Sequence, residues 1–145
     1  MKLITLKISR KNDQDNYKII EVQENTTLYR FAEIIVKSFG FYFDHAFGFY
    51  SNITNPYKSE LIHELFTDME DVETTPNAKG VQKYYFISDL FEKHERILFI
   101  FDYGDNWEFI IAPAGKKSDA YQVPKNYYKI IKSHGENPEQ YPGFD

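Results

Sequence analysis

Six residues carry the side chains with which this chain could do chemistry: His45, Asp102, Tyr103, Asp105, Trp107 and Glu139. Four of them stand in one string, Phe101-Asp102-Tyr103-Gly104-Asp105-Asn106-Trp107-Glu108. Paired carboxylates with a histidine hold a hard cation or divide the roles of general acid and general base. His45 follows Asp44, and an acid beside a histidine orients or charges it. The expected site is therefore the surface where the 102–106 turn meets the His45 segment and the C-terminal Pro138-Glu139. Each residue also has a structural reading. Asp and Asn in a tight turn bond their own backbone, and Gly104 would take the positive φ. A strand histidine is satisfied by a backbone carbonyl. A lone tryptophan is core more often than it is a stacking platform. His63-Glu64 opens a zinc-protease motif, but Thr67 stands where the second histidine is required, and the motif fails. No metal and no cofactor are expected.

The elements that must position these residues are written in the hydrophobic pattern. Ile4, Leu6 and Ile8 alternate with Thr5, Lys7 and Ser9, which predicts a half-buried strand. A polar turn over 12–16 leads into a second strand with Ile20 and Val22 on one face, so the two form a hairpin. Thr26 or Thr27 caps a helix whose Leu28, Phe31, Ala32, Ile35, Val36 and Phe39 share one side, and Gly40 stops it. His45, Phe47 and Phe49 fall on one face of a further strand. Residues 51–80, bracketed by Pro56 and Pro76, read as a long insertion in which Ser59 caps a short helix. Residues 97–101 are apolar on both faces, the mark of an interior strand. They pair with the run from Trp107 as a second hairpin. Residues 124–134 suggest helical turns ending at Gly135, within a Pro-rich tail over about 114–145. The expected fold class is α+β, a mixed or antiparallel sheet wrapped on one main helix.

Composition removes whole classes of function. The chain has 145 residues, which fits a single domain, 1–145. With 42% hydrophobic residues, 13 Phe and 12 Tyr it can build a core, and surplus rings belong at a contact surface. There is no Cys, so disulfides, thiolate metal sites and Cys nucleophiles are excluded. The net charge of −5 opposes a nucleic-acid role. Lys116, Lys117, Lys125, Lys129 and Lys132 form the one basic region that could counter it. The alternating N-terminus has no signal-peptide core, and no apolar run reaches membrane-spanning length. A cytoplasmic protein with no membrane partner is expected.

Several of these strings together resemble a known family. The hairpin-helix start, Phe39-Gly40-Phe41 with Asp44-His45-Ala46-Phe47-Gly48-Phe49, and above all Phe101-Asp102-Tyr103-Gly104-Asp105-Asn106-Trp107-Glu108 are similar to the plasmid pRiA4b ORF-3-like family, also described as a TnpR-like transposon passenger. Gly135-Glu136-Asn137-Pro138-Glu139 resembles its C-terminal Pro-Pro-Glu-Asp segment. The sequence departs from the pattern at Phe109, where the family commonly has a His, and at Ala112-Pro113-Ala114, where a Glu is missing. A polar or metal site built on those groups would be incomplete here. The resemblance implies a ubiquitin-like (β-grasp) or α/β-roll-like fold, a link to mobile genetic elements, and no assigned activity.

The functional expectation is a non-catalytic binding or interaction module with a protein partner. Aromatic surplus and the lack of a complete catalytic set favour it over an enzyme. The alternatives are a metal-binding or hydrolytic site on Asp102, Asp105, His45 and Glu139, and a nucleic-acid-associated accessory protein.

Overall fold

A computed structural model describes residues 2–70, 72–119 and 123–142. A hairpin of β1 (Lys2–Arg10) and β2 (Asp13–Gln23) opens the chain. Helix α1 (Leu28–Ser38) follows, then β3 (Phe47–Tyr50), β4 (Ile62–Glu64) and the one-turn α2 (Ile87–Leu90). Next come β5 (Ile97–Phe101), β6 (Trp107–Pro113), the two-residue β7 (Ser118–Asp119) and β8 (Tyr128–His134). The strands form one sheet in the order β4-β3-β5-β6-β1-β2-β8, and β7 adds beside β1. Every pairing between these strands is antiparallel.

The helix is set by local chemistry. The Thr27 hydroxyl accepts the Arg30 N–H at 3.2 Å, satisfying one donor of the first turn. At the far end Gly40 takes φ +79° and donates to the Lys37 carbonyl at 2.9 Å, a left-handed stop that costs glycine nothing. The apolar side of α1 covers one face of the sheet, meeting Ile4, Leu6, Ile8, Ile20 and Val22. Phe47, Phe49, Phe99 and Phe109 continue the same core. The opposite face carries a second, smaller cluster of Tyr50, Ile62, Leu98 and Ile100 under Ile53, Ala78 and Tyr103. Strand β5 is thus buried on both faces, as its doubly apolar pattern requires.

The expected fold class does not hold. The protein is not a β-grasp or roll wrapped on a main helix but a fold dominated by one eight-stranded antiparallel sheet. Among the described residues α1 is the sole helix longer than about one turn. Two stretches read as helical joined the sheet instead. Residues 62–64, expected inside an insertion, pair with β3 as an edge strand. Residues 128–134 pair with β2, because adjacent β-branched Ile130 and Ile131 suit a strand better than a helix. The register slips beside Ile19 and Ile20, and both Ile130 and Ile131 stay exposed.

Candidate functional site

The Asp102 carboxylate builds the turn after β5. Its Oδ1 accepts the Gly104 N–H at 3.2 Å and the Asp105 N–H at 3.4 Å. Asp102 and Asn106, not Gly104, take the left-handed backbone, at φ +61° and +54°. Asp and Asn tolerate that region because their short polar side chains bond locally. The Asp102 N–H donates to the Ala46 carbonyl at 2.9 Å, tying the turn to the segment that carries His45.

That tie brings His45 to Asp102. His45 Nε2 lies 3.4 Å from Asp102 Oδ2 and 3.7 Å from Asp44 Oδ1. Its nearest partner is the Tyr141 hydroxyl, at 2.7 Å. Tyr141 in turn donates to Asp44 Oδ2 at 2.6 Å, so its oxygen accepts from an Nε2–H on His45. The bond to Asp44 pushes the Tyr141 hydroxyl up to about 12, so it stays protonated and keeps donating. Beside it Gln140 closes a second clasp. The Tyr42 N–H donates to Gln140 Oε1 at 2.8 Å, and Gln140 Nε2 donates back to the Tyr42 carbonyl and to Asp44 Oδ1, each at 3.1 Å. The C-terminal residues are thereby stitched onto the 42–46 segment.

The other expected site residues do not converge there. The Tyr103 ring crosses to the opposite face of the sheet and its hydroxyl meets Tyr50 at 2.7 Å. The indole of Trp107 packs edge-on to Phe41, at 4.8 Å between centroids, under the Arg10 guanidinium. It serves packing. Asp105 is exposed at the turn, beside a shallow pocket of about 130 Å³ that Arg10 also lines. Glu139 is exposed and its side chain makes no hydrogen bond among the described residues. No three His, Asp or Glu side chains among the described residues are arranged to hold a metal ion.

A sequence profile now decides the family, matching residues 2–142. The chain belongs to the plasmid pRiA4b ORF-3-like family. No functionally curated protein matches it. It is similar to the crystal structure of a protein of unknown function from Methanosarcina mazei Go1, at 22% identity and a TM-score of 0.67. The likeness covers 88% of this chain and 68% of that one, and it shows the fold alone.

This member of the pRiA4b ORF-3-like family keeps the Asp-aromatic-Gly-Asp-x-Trp string as the β5–β6 turn. Its Phe109 is fully buried in the core beneath α1. Sequence reasoning missed Tyr42, Gln140 and Tyr141. They sit in stretches without periodicity, and nothing in such a stretch reveals its partner. Asp102→Ala is expected to cost about 2 kcal/mol, from lost turn bonds and a left-handed alanine. Asp102→Asn keeps the acceptor and the backbone preference and should cost under about 1 kcal/mol. Urea unfolding of the two variants gives the comparison; equal losses would place the role of Asp102 in its charge rather than in the turn.

Proposed function

We propose that the protein is a non-catalytic binding module whose docking surface is formed by Tyr42, Tyr141, His45, Asp44 and Asp105. Its partner presents a basic, extended protein segment. One observation carries this reading. The Tyr42 backbone is fastened at both its N–H and its C=O by the buried Gln140 amide, while the residue is 76% exposed. An exposed aromatic side chain on a fastened backbone has less entropy to lose on binding than one on a free loop. The flanking carboxylates choose the partner's sign: Asp44 and Asp105 are both exposed, and both act electrostatically on Tyr141. A lysine or arginine seated over Tyr42 or Tyr141 would gain cation–π attraction and these charges together.

Against the hydrolytic alternative, Asp102 Oδ1 is engaged by the turn, His45 Nε2 faces the Tyr141 hydroxyl, and the Glu139 side chain makes no hydrogen bond among the described residues. Of the five lysines behind the nucleic-acid alternative, two are engaged within the chain: Lys117 pairs with Glu24 at 2.5 Å and Lys132 lies over the Tyr17 ring. The association with mobile elements is carried by the family's name and by nothing in the fold.

Tyr42→Ala is expected to weaken binding of an arginine-rich peptide about tenfold, equivalent to about 1.4 kcal/mol, with no change in Tm. The variant leaves the net charge untouched, so general attraction to an acidic protein cannot produce that loss. Calorimetric titration measures it, and equal affinity of wild type and variant would sink the reading.

A further inference from the structure

A cavity of about 320 Å³ lies between β4, residues 79–85 and the surroundings of α2, away from the surface described above. His63 of β4 stands in its wall and is only 1% exposed. Its Nδ1 is 2.8 Å from the Gly80 carbonyl oxygen. A carbonyl can only accept, so Nδ1 carries the proton and the lone pair of the neutral ring sits on Nε2. Burial pushes the His63 imidazole below its ordinary range, against a smaller opposing effect of the Gly80 bond, so the neutral form holds. Tyr85 fixes the ring from the side, edge to face at 5.0 Å. Nε2 has no hydrogen-bond partner among the described residues. An imidazole nitrogen left open in the wall of a cavity can accept from an N–H or O–H donor.

The charges around the cavity say which donor. Glu60, Asp89 and Glu92 line it, and so do Lys79, Lys93 and His94. A simple cation would face the two lysines, and a simple anion the three carboxylates. A ligand bearing one charge of each sign satisfies both sets. The volume suits a molecule of amino-acid size. Tyr84 stands in the lining and is 82% exposed as a residue, an aromatic neighbour for a ligand side chain.

We infer that this cavity binds a free α-amino acid. Its ammonium donates to His63 Nε2 between Glu60 and Glu92, and its carboxylate is held by Lys79 and Lys93. Binding here is independent of the Tyr42 surface, and failure of one leaves the other standing.

Long-range proton–nitrogen spectra of the His63 ring, recorded on the full chain, test this directly. Pools of the common amino acids, then single members, are added at millimolar concentration. The expected result is a saturable shift of the Nε2 resonance by at least one amino acid. Its methyl ester, which lacks the carboxylate, and its desamino acid, which lacks the ammonium, should each bind at least about tenfold more weakly. The double variant Glu60→Gln/Glu92→Gln changes two exposed side chains and should lose a similar factor in affinity with Tm unchanged. His63→Phe also strips the Gly80 carbonyl of its donor, so the wild-type resonance and the rim variant carry the test. A resonance that no amino acid moves overturns the proposal. So does a shift reproduced equally by the ester or by the desamino acid, and so does undiminished affinity in the rim variant.

Discussion

Gly48→Ala is expected to destabilise the fold by about 3 kcal/mol, or roughly 10 °C in Tm. The strand register places Gly48 of β3 opposite Glu64 of β4 and Ile100 of β5, on the sheet face away from α1. The space a side chain would occupy there is taken by two phenols. A Cβ at Gly48 would sit 2.6 Å from the Tyr103 hydroxyl and 2.7 Å from that of Tyr50, with Tyr50 Cε2 at 2.9 Å. The Tyr50 ring has no room to retreat. Tyr50 is fully buried, and its hydroxyl donates to the buried Glu64 carboxylate. Thr75 donates to the same Glu64 oxygen at 3.0 Å. Burial pushes both phenols above their ordinary range, so they stay protonated and act as donors throughout the stable range of pH. The alanine methyl must therefore break a buried polar network or shift β3. Adding Tyr103→Phe removes the nearest clashing atom and should return about 1 kcal/mol. Urea unfolding of the four proteins in this cycle gives the coupling. Additive losses would mean that the methyl and the Tyr103 hydroxyl do not compete for the same space.

That polar hub shows where the sequence stops speaking. Tyr103 adjoins Asp102, and the two look like members of one site, yet the turn sends the ring of one to the Tyr50 side and the carboxylate of the other towards His45. Neighbours in a turn need not share a face. The proximity of His45 to Asp102 follows the expected turn after β5, but His45 lies in the bend before β3 and not on a strand face as expected. Its cause was not legible, since Gln140 and Tyr141 act from a segment with no period to read. Helix α1 and strand β5 were legible for the same physical reason. Their burial is decided by their own side chains, one stripe in α1 and two faces in β5. Strands β4 and β8 owe their conformation to what they pair with. Ile62–Glu64 finds the free edge of β3, and Tyr128–His134 finds that of β2. The lysine spacing of the latter fits a helix until the partner edge is known. The error in fold class follows from these two strands, which carry the sheet beyond what a single helix can cover.

Phe109→His is expected to cost about 4 kcal/mol in this chain. Phe109 is the third residue of β6 and lies between Phe99 of β5 and Arg10 of β1 in the register. Its ring packs against Phe39 at 4.7 Å and Phe99 at 6.1 Å between centroids, on the face that α1 covers. An imidazole there would lose apolar contact and bury two ring nitrogens among hydrocarbon. The pH dependence separates this cause from simple loss of volume. A buried imidazole without a partner has its folded pKa depressed below the unfolded value of about 6.5. Its protonated form is then favoured only in the unfolded chain. The variant's stability is accordingly unaffected by the new group above that pH, and it falls by up to about 1.4 kcal/mol per unit as pH drops below it. Phe109→Leu removes ring contacts without adding a titrating group and should show no such extra slope. Unfolding midpoints of the two variants between pH 5 and pH 8, about the range over which a histidine titrates, make the comparison. Parallel profiles would mean that the histidine finds a polar partner in place. Diverging profiles would mean that β6 offers a buried imidazole no polar partner in this chain.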